Sequence, residues 1–101
     1  MSQVLLTQKY RPLGRMSSGE LLLQHSDALN FVDDCEQLGL VILGLEFFVE
    51  QGAKIVPLDI ADYSNVLGMP DAVHQTVSST RELIGAGFPS NAQWVTFIVS
   101  E

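Results

Sequence analysis

At 101 residues the chain has room for one hydrophobic core and not two, and 47% hydrophobic against 17% charged residues places it among compact globular domains. Twelve acidic against five basic side chains give a net charge of −7, which argues against nucleic acid as a partner, because phosphate backbones are held by Lys and Arg. No apolar run reaches the roughly 20 residues of a bilayer-spanning helix, so no membrane partner is expected.

The opening stretch MSQVLLTQKYRPLGR lacks the basic start and long apolar segment of a secretory signal. Cys35 is the only cysteine, which excludes an intramolecular disulfide. A cytoplasmic location is the expectation. Gln3–Thr7 reads as strand-like, and RPLGRMSSG, with Pro12, Gly14 and Gly19, as turn or loop. Ser17 or Ser18 is predicted to cap a short helical turn through Leu21–Gln24. Residues 1–17 are thus an expected N-terminal strand and loop, ahead of a core over 18–101 within a single domain.

SDALNFVDDCEQLG begins the first well-defined helix, with Ala28, Val32, Cys35 and Leu38 at helical spacing and Gly39 as a left-handed C-cap. Cys35 lies on that apolar stripe, where a small buried residue is expected and not a reactive thiol. Leu40–Val49 reads as a strand, EQGAK as a turn, and KIVPLD as a second strand; this is a hairpin, with Pro57 marking an edge. DYSNVLGMP is a loop. Val73, Val77, Thr80 and Ile84 predict a helix from about Pro70 to Gly85. QWVTFIVS closes the chain as a strand that is apolar on both faces, hence an expected central strand. This order predicts an α+β fold: a small mixed or antiparallel sheet of three or four strands, with two main helices packed on one face.

One carboxylate, Glu46, interrupts the apolar run Leu40–Val49. Strict alternation puts Val41, Leu43, Leu45, Phe47 and Val49 toward the helices, and Ile42, Gly44, Glu46 and Phe48 on the opposite, open face. An unpaired buried carboxylate would cost several kcal/mol, so Glu46 is expected on the open face, exposed and paired with Lys54 or displayed to a partner's Arg or Lys.

The charges are also unevenly placed. Lys9, Arg11 and Arg15 crowd the N-terminus, whereas between Ser17 and Ala53 there are seven acids and no Lys or Arg. That distribution serves solubility, or forms an acidic face that steers a basic partner. No catalytic constellation stands out. His25 and His74 lack metal-ligand spacing, Ser78-Ser79-Thr80 lacks a nucleophile elbow, and the glycines form neither GxGxxG nor a Walker loop. Asp33, Asp34 and Glu36 diverge around a helix and read as a solvated face. No catalytic, cofactor-binding or metal-ligating residue is assigned, and no enzymatic activity is expected.

DALNFVDDCEQLGLVILGLEFF, GAKIVPLDIADYS, TRELI and the closing WVTFIVS together resemble a family of small bacterial immunity proteins, the antidotes of polymorphic toxins called immunity protein 40. The resemblance spans about residues 26–100 and is carried by Leu38, Gly39, Ile42, Leu43, Gly44 and Glu46. Leu45 stands where that pattern has a second glycine, and Glu46 where it has aspartate. The resemblance implies non-catalytic binding to a cognate toxin protein, blocking or masking its active site; the acidic balance points to a basic partner, and a monomer or homodimer is expected. The expected contact residues are Asp33, Asp34, Glu36, Glu46, Asp59, Asp62 and Tyr63. Two other readings are a homo-oligomeric scaffold or regulatory subunit, and a small-molecule binder using the loop after the hairpin.

Overall fold

A computed structural model describes residues 2–100, with side chains from residue 5 onward. The chain runs α1 (Ser2–Tyr10), β1 (Arg15–Ser17), β2 (Glu20–Leu22), α2 (His25–Leu38), β3 (Val41–Gln51), β4 (Lys54–Asp62), α3 (Ala72–Ile84) and β5 (Trp94–Ser100), with 3-10 turns at Ser64–Val66 and Pro89–Asn91. The strands form two antiparallel sheets, a β1–β2 hairpin and a three-stranded sheet ordered β4-β3-β5. The fold is α+β.

The helices bury the faces that their spacing predicts. Ala28, Phe31, Val32 and Cys35 line the inner side of α2, and Ala72, Thr76, Val77, Thr80 and Ile84 that of α3. They close on Ile42, Leu45 and Phe47 of β3 and on Val95 and Val99 of β5. Gly39 ends α2 at φ 70°, its N–H bonding back to the Cys35 and Glu36 carbonyls. Gly52, at φ 63°, takes the first position of the two-residue turn between Gln51 and Lys54, as a II′ hairpin requires.

Several expectations need correcting. Gln3–Thr7 is part of helix α1, and Leu6 and Tyr10, one helical turn apart, are buried in the core. The Tyr10 ring meets Phe31 edge-on at 5.3 Å. Leu21–Gln24 is not a helical turn. Ser18 (φ 50°) and Gly19 (φ 81°) instead turn the β1–β2 hairpin, with both central residues left-handed as in a I′ turn. β5 is not central: β3 lies between β4 and β5, and β5 meets only a bridge to Leu23 on its outer side. The β1–β2 hairpin lies beside it, Met16 and Leu21 sharing a cleft with Thr96 and Phe97, while Ile98 stays exposed on the second face.

A bulge in the β3–β5 pairing between Ile42 and Gly44 overturns strict alternation. Ile42 turns toward the helices at 0% exposure, and Leu43 is freed to border the open face. The Ile42 N–H is donated to Thr76 Oγ1 at 3.1 Å, and the Thr76 hydroxyl donates to the Ala72 carbonyl at 2.9 Å. One turn further along α3, the buried Thr80 hydroxyl has no partner within hydrogen-bond distance among the described residues, although Tyr63 is turned toward it. A second irregularity, on the β4 side between Glu46 and Phe48, sits beside Pro57, which lies on the sheet's edge as expected.

Candidate functional site

Cross-strand partners in a sheet point the same way, so the β3 register defines the face away from the helices. Three rows cross it: Ile98–Gly44–Asp62, Thr96–Glu46–Ile60 and Trp94–Phe48–Pro57. Ile60 is 66% exposed and Ile98 is 50% exposed. Glu46 lies half-buried between them and, among the described residues, has no hydrogen bond or ion pair. Lys54 is not its partner, since it stands opposite Gln51 at the hairpin tip. Gly44 has no side chain to fill its row, which leaves a shallow groove of about 230 Å³ floored by Leu43 and Gly44 and walled by Ile60, Asp62 and Ile98.

The other end of this face is occupied by the chain itself. Arg15 Nη1 donates to Glu50 Oε1 at 2.8 Å, Trp94 Nε1 donates to the same oxygen at 3.0 Å, and the Arg15 guanidinium lies 6.0 Å from the Trp94 ring centre. Glu50 falls on the same side of β3 as Glu46, so one of these two glutamates is met by an internal arginine and, among the described residues, the other is not.

Three of the four acids of α2 are spent on holding helices together. Arg81 of α3 donates to Asp33 at 2.7 Å and to Glu36 at 3.0 Å, and Lys9 and the Tyr10 hydroxyl of α1 both reach Asp34 at 2.7 Å. Burial works against ionised Asp34, but the Lys9 ammonium and the Tyr10 hydroxyl outweigh it and hold the carboxyl below its usual value. A depressed carboxylate contributes stability that is present above its unfolded pKa and lost as pH falls through the folded value. Asp34→Asn should therefore lower stability by about 1–2 kcal/mol at pH 7, with the deficit shrinking below about pH 4. Urea midpoints of both proteins at pH 7 and pH 3 check this; an unchanged deficit at pH 3 would contradict it.

The remaining candidates divide between faces. Asp59 accepts a hydrogen bond from Ser90 Oγ at 2.8 Å. Asp62 lies on the open face beside Gly44; Oδ1 accepts the Ser64 N–H at 2.9 Å, and its hydrogen bonds to Ser64 hold the carboxyl below its usual value. Tyr63 is half-buried against the core and turned toward Thr80 of α3, and burial pushes its hydroxyl up. It belongs to the helical side and not to the Glu46 face. Of the seven expected contact residues, the structure therefore gathers only Glu46 and Asp62 on the open face, and adds Gly44, Ile60 and Ile98. Gly44 was already on the open face by alternation in Leu40–Val49, and the signal for Ile60 and Ile98 was the alternation in LDIAD and in TFIVS, which marks a strand side without saying what covers it.

Other reactive groups serve the structure. The Cys35 thiol is fully buried, and burial, aided by Asp34, pushes it up to about 12, which makes it a poor nucleophile at neutral pH. His25 Nε2 bonds the Ile84 carbonyl and its ring meets Phe88, tying the start of α2 to the end of α3. Among the described residues no group of three or more His, Cys, Asp or Glu is placed to hold a metal ion, and no helix is long and apolar enough to cross a membrane. Three surface concavities hold about 240, 200 and 230 Å³, each below the roughly 300–1,000 Å³ of pockets that enclose small molecules. No protein-family model, curated protein or solved structure matches this chain.

Proposed function

We propose that the chain is a non-catalytic protein-binding module that neutralises a cognate, basic toxin domain, as the immunity proteins it resembles do. The observation that carries this reading is the half-open sheet face, where exposed Ile60 and Ile98 border the partnerless Glu46. Apolar side chains around an unmet charge are what a protein interface supplies with a complement. The net charge of −7 supports a basic partner, because it speeds the encounter of opposite charges at low salt. The carboxylates of α2 contribute to that field, while Arg81, Lys9 and Tyr10 keep them from being free docking groups.

Capture with the tagged chain in its native lysate, followed by co-expression, tests this. The expected result is a basic protein that binds more weakly at high salt, arrests bacterial growth alone and is harmless beside this chain. The Ile60→Lys/Ile98→Lys variant should lose capture about a hundredfold or more, since it adds two charges to a face built for a cation. A captured protein that is innocuous alone, or equal capture by the variant, would overturn the proposal.

A further inference from the structure

We infer that the Gly44 groove is a socket for an arginine side chain of the bound partner, with Glu46 as its main acceptor. This deepens the binding-module reading and rests on it. The socket follows from three features of one face. The Ile98–Gly44–Asp62 row dips at Gly44, where β4 approaches closely, and Ile98 and Ile60 stand on either side as exposed aliphatic walls. Glu46, two residues along the same side of β3, presents a carboxylate that no described residue engages, and Asp62 lies opposite Gly44 on β4. Asp62 borders the groove and Glu46 stands in the next row of the same face, opposite Ile60, so the charges beside the groove are acidic and the complementary occupant is a cation. Its stem must be long and apolar to run between two isoleucines, and its head must reach past Ile60 with several donors for the Glu46 carboxylate.

Arginine fits this better than lysine, because its planar guanidinium donates to a carboxylate in a fork and sheds water more readily. The same face holds an internal example. Arg15 lies over Trp94 with its guanidinium on Glu50, so a guanidinium is already gripped between an apolar side chain and a carboxylate on this side of β3. Glu46 repeats the acceptor two pleat repeats away on β3 without an internal arginine, and the partner supplies the missing one.

The test uses the full chain, ¹⁵N-labelled, titrated by NMR with the blocked tripeptide acetyl-Val-Arg-Val-amide and with its citrulline counterpart, which keeps the shape and removes the charge. The arginine peptide should move the amide signals of Gly44, Glu46, Ile60, Asp62 and Ile98 at millimolar concentration, and the citrulline peptide should bind about tenfold more weakly. Glu46→Gln should weaken the arginine peptide by a similar factor, whereas Glu82→Gln, which removes the same charge from α3, should not. Shifts centred on α2, or equal affinity for Glu46→Gln and the unaltered chain, would overturn the socket. If they do so while Ile60→Lys/Ile98→Lys still abolishes capture, the face binds its partner by another anchor and the binding-module reading stands.

Discussion

Gly44→Ala should destabilise the fold by about 2–3 kcal/mol, at the upper end of what one added methyl costs in a packed interior. A Cβ at this position would lie 2.7 Å from the Ala61 carbonyl oxygen, well inside contact distance. That atom is backbone and cannot swing away as a side-chain tip would. β3 cannot retreat either, since β5 holds its other edge through Leu45–Phe97 and Glu46–Thr96. The Tyr63 N–H, bonded to the Leu43 carbonyl at 2.7 Å, fixes β4 at the same point. Urea unfolding gives the number; a midpoint matching the unaltered chain would show that β4 slides aside at little cost. The same glycine thus serves both close strand approach and the groove proposed to receive an arginine, so groove-filling at Gly44 is a poor test of binding and Glu46→Gln a better one.

Thr76→Val should cost about 1–3 kcal/mol, while Thr80→Val on the same buried side of α3 should be neutral or mildly stabilising. The two threonines are alike in chemistry and burial, at 1% and 0% exposure, and differ in their partners. Thr76 Oγ1 accepts the Ile42 N–H at the β3 bulge, so valine would strand a buried donor in the core. Among the described residues Thr80 Oγ1 has no partner within hydrogen-bond distance, only Tyr63 turned toward it, so valine replaces a hydroxyl that is desolvated with little compensation. Thermal or urea denaturation of both variants decides it. Equal losses would mean that the hydroxyl of Thr80 is satisfied in a way its surroundings do not show.

That bulge also marks where reading the sequence by eye stops working. α2, the β3–β4 hairpin, α3 and β5 were legible, because each carries a period, a cap or a turn residue: the Ala28–Cys35 stripe, Gly39, Gly52 and the Val73–Ile84 spacing. Strict alternation in β3 was correct from Gly44 onward and failed at Ile42 and Leu43, since an extra residue in one strand depends on the partner strand's register and not on local composition. The N-terminal segment failed for a related reason. Gln3–Thr7 is too short for its few apolar residues to declare a period, and what makes α1 a helix is the burial of Leu6 and Tyr10 against α2. Among the candidate site residues, Glu46 was legible as a charge out of place. The engagement of Asp33, Asp34 and Glu36 was not, because Arg81 and Lys9 reach them from distant parts of the chain. A charge excess counts acids but does not say which are already answered.

The position of β3 between a near neighbour and a far one also sets an order of assembly. β3 and β4 are joined by a two-residue turn, and a hairpin of that kind closes in about 1–10 μs. Glu46 reaches Thr96 only after α3 and two irregular stretches have been laid down, and such distant closure is slow because chain entropy is lost before contacts repay it. The hydrophobic side of the young hairpin must therefore wait, covered first by α2 from the preceding segment, until the last strand arrives. On a ribosome β5 is made after α2, β3, β4 and α3, so the sheet is completed only once β5 itself has left the exit tunnel.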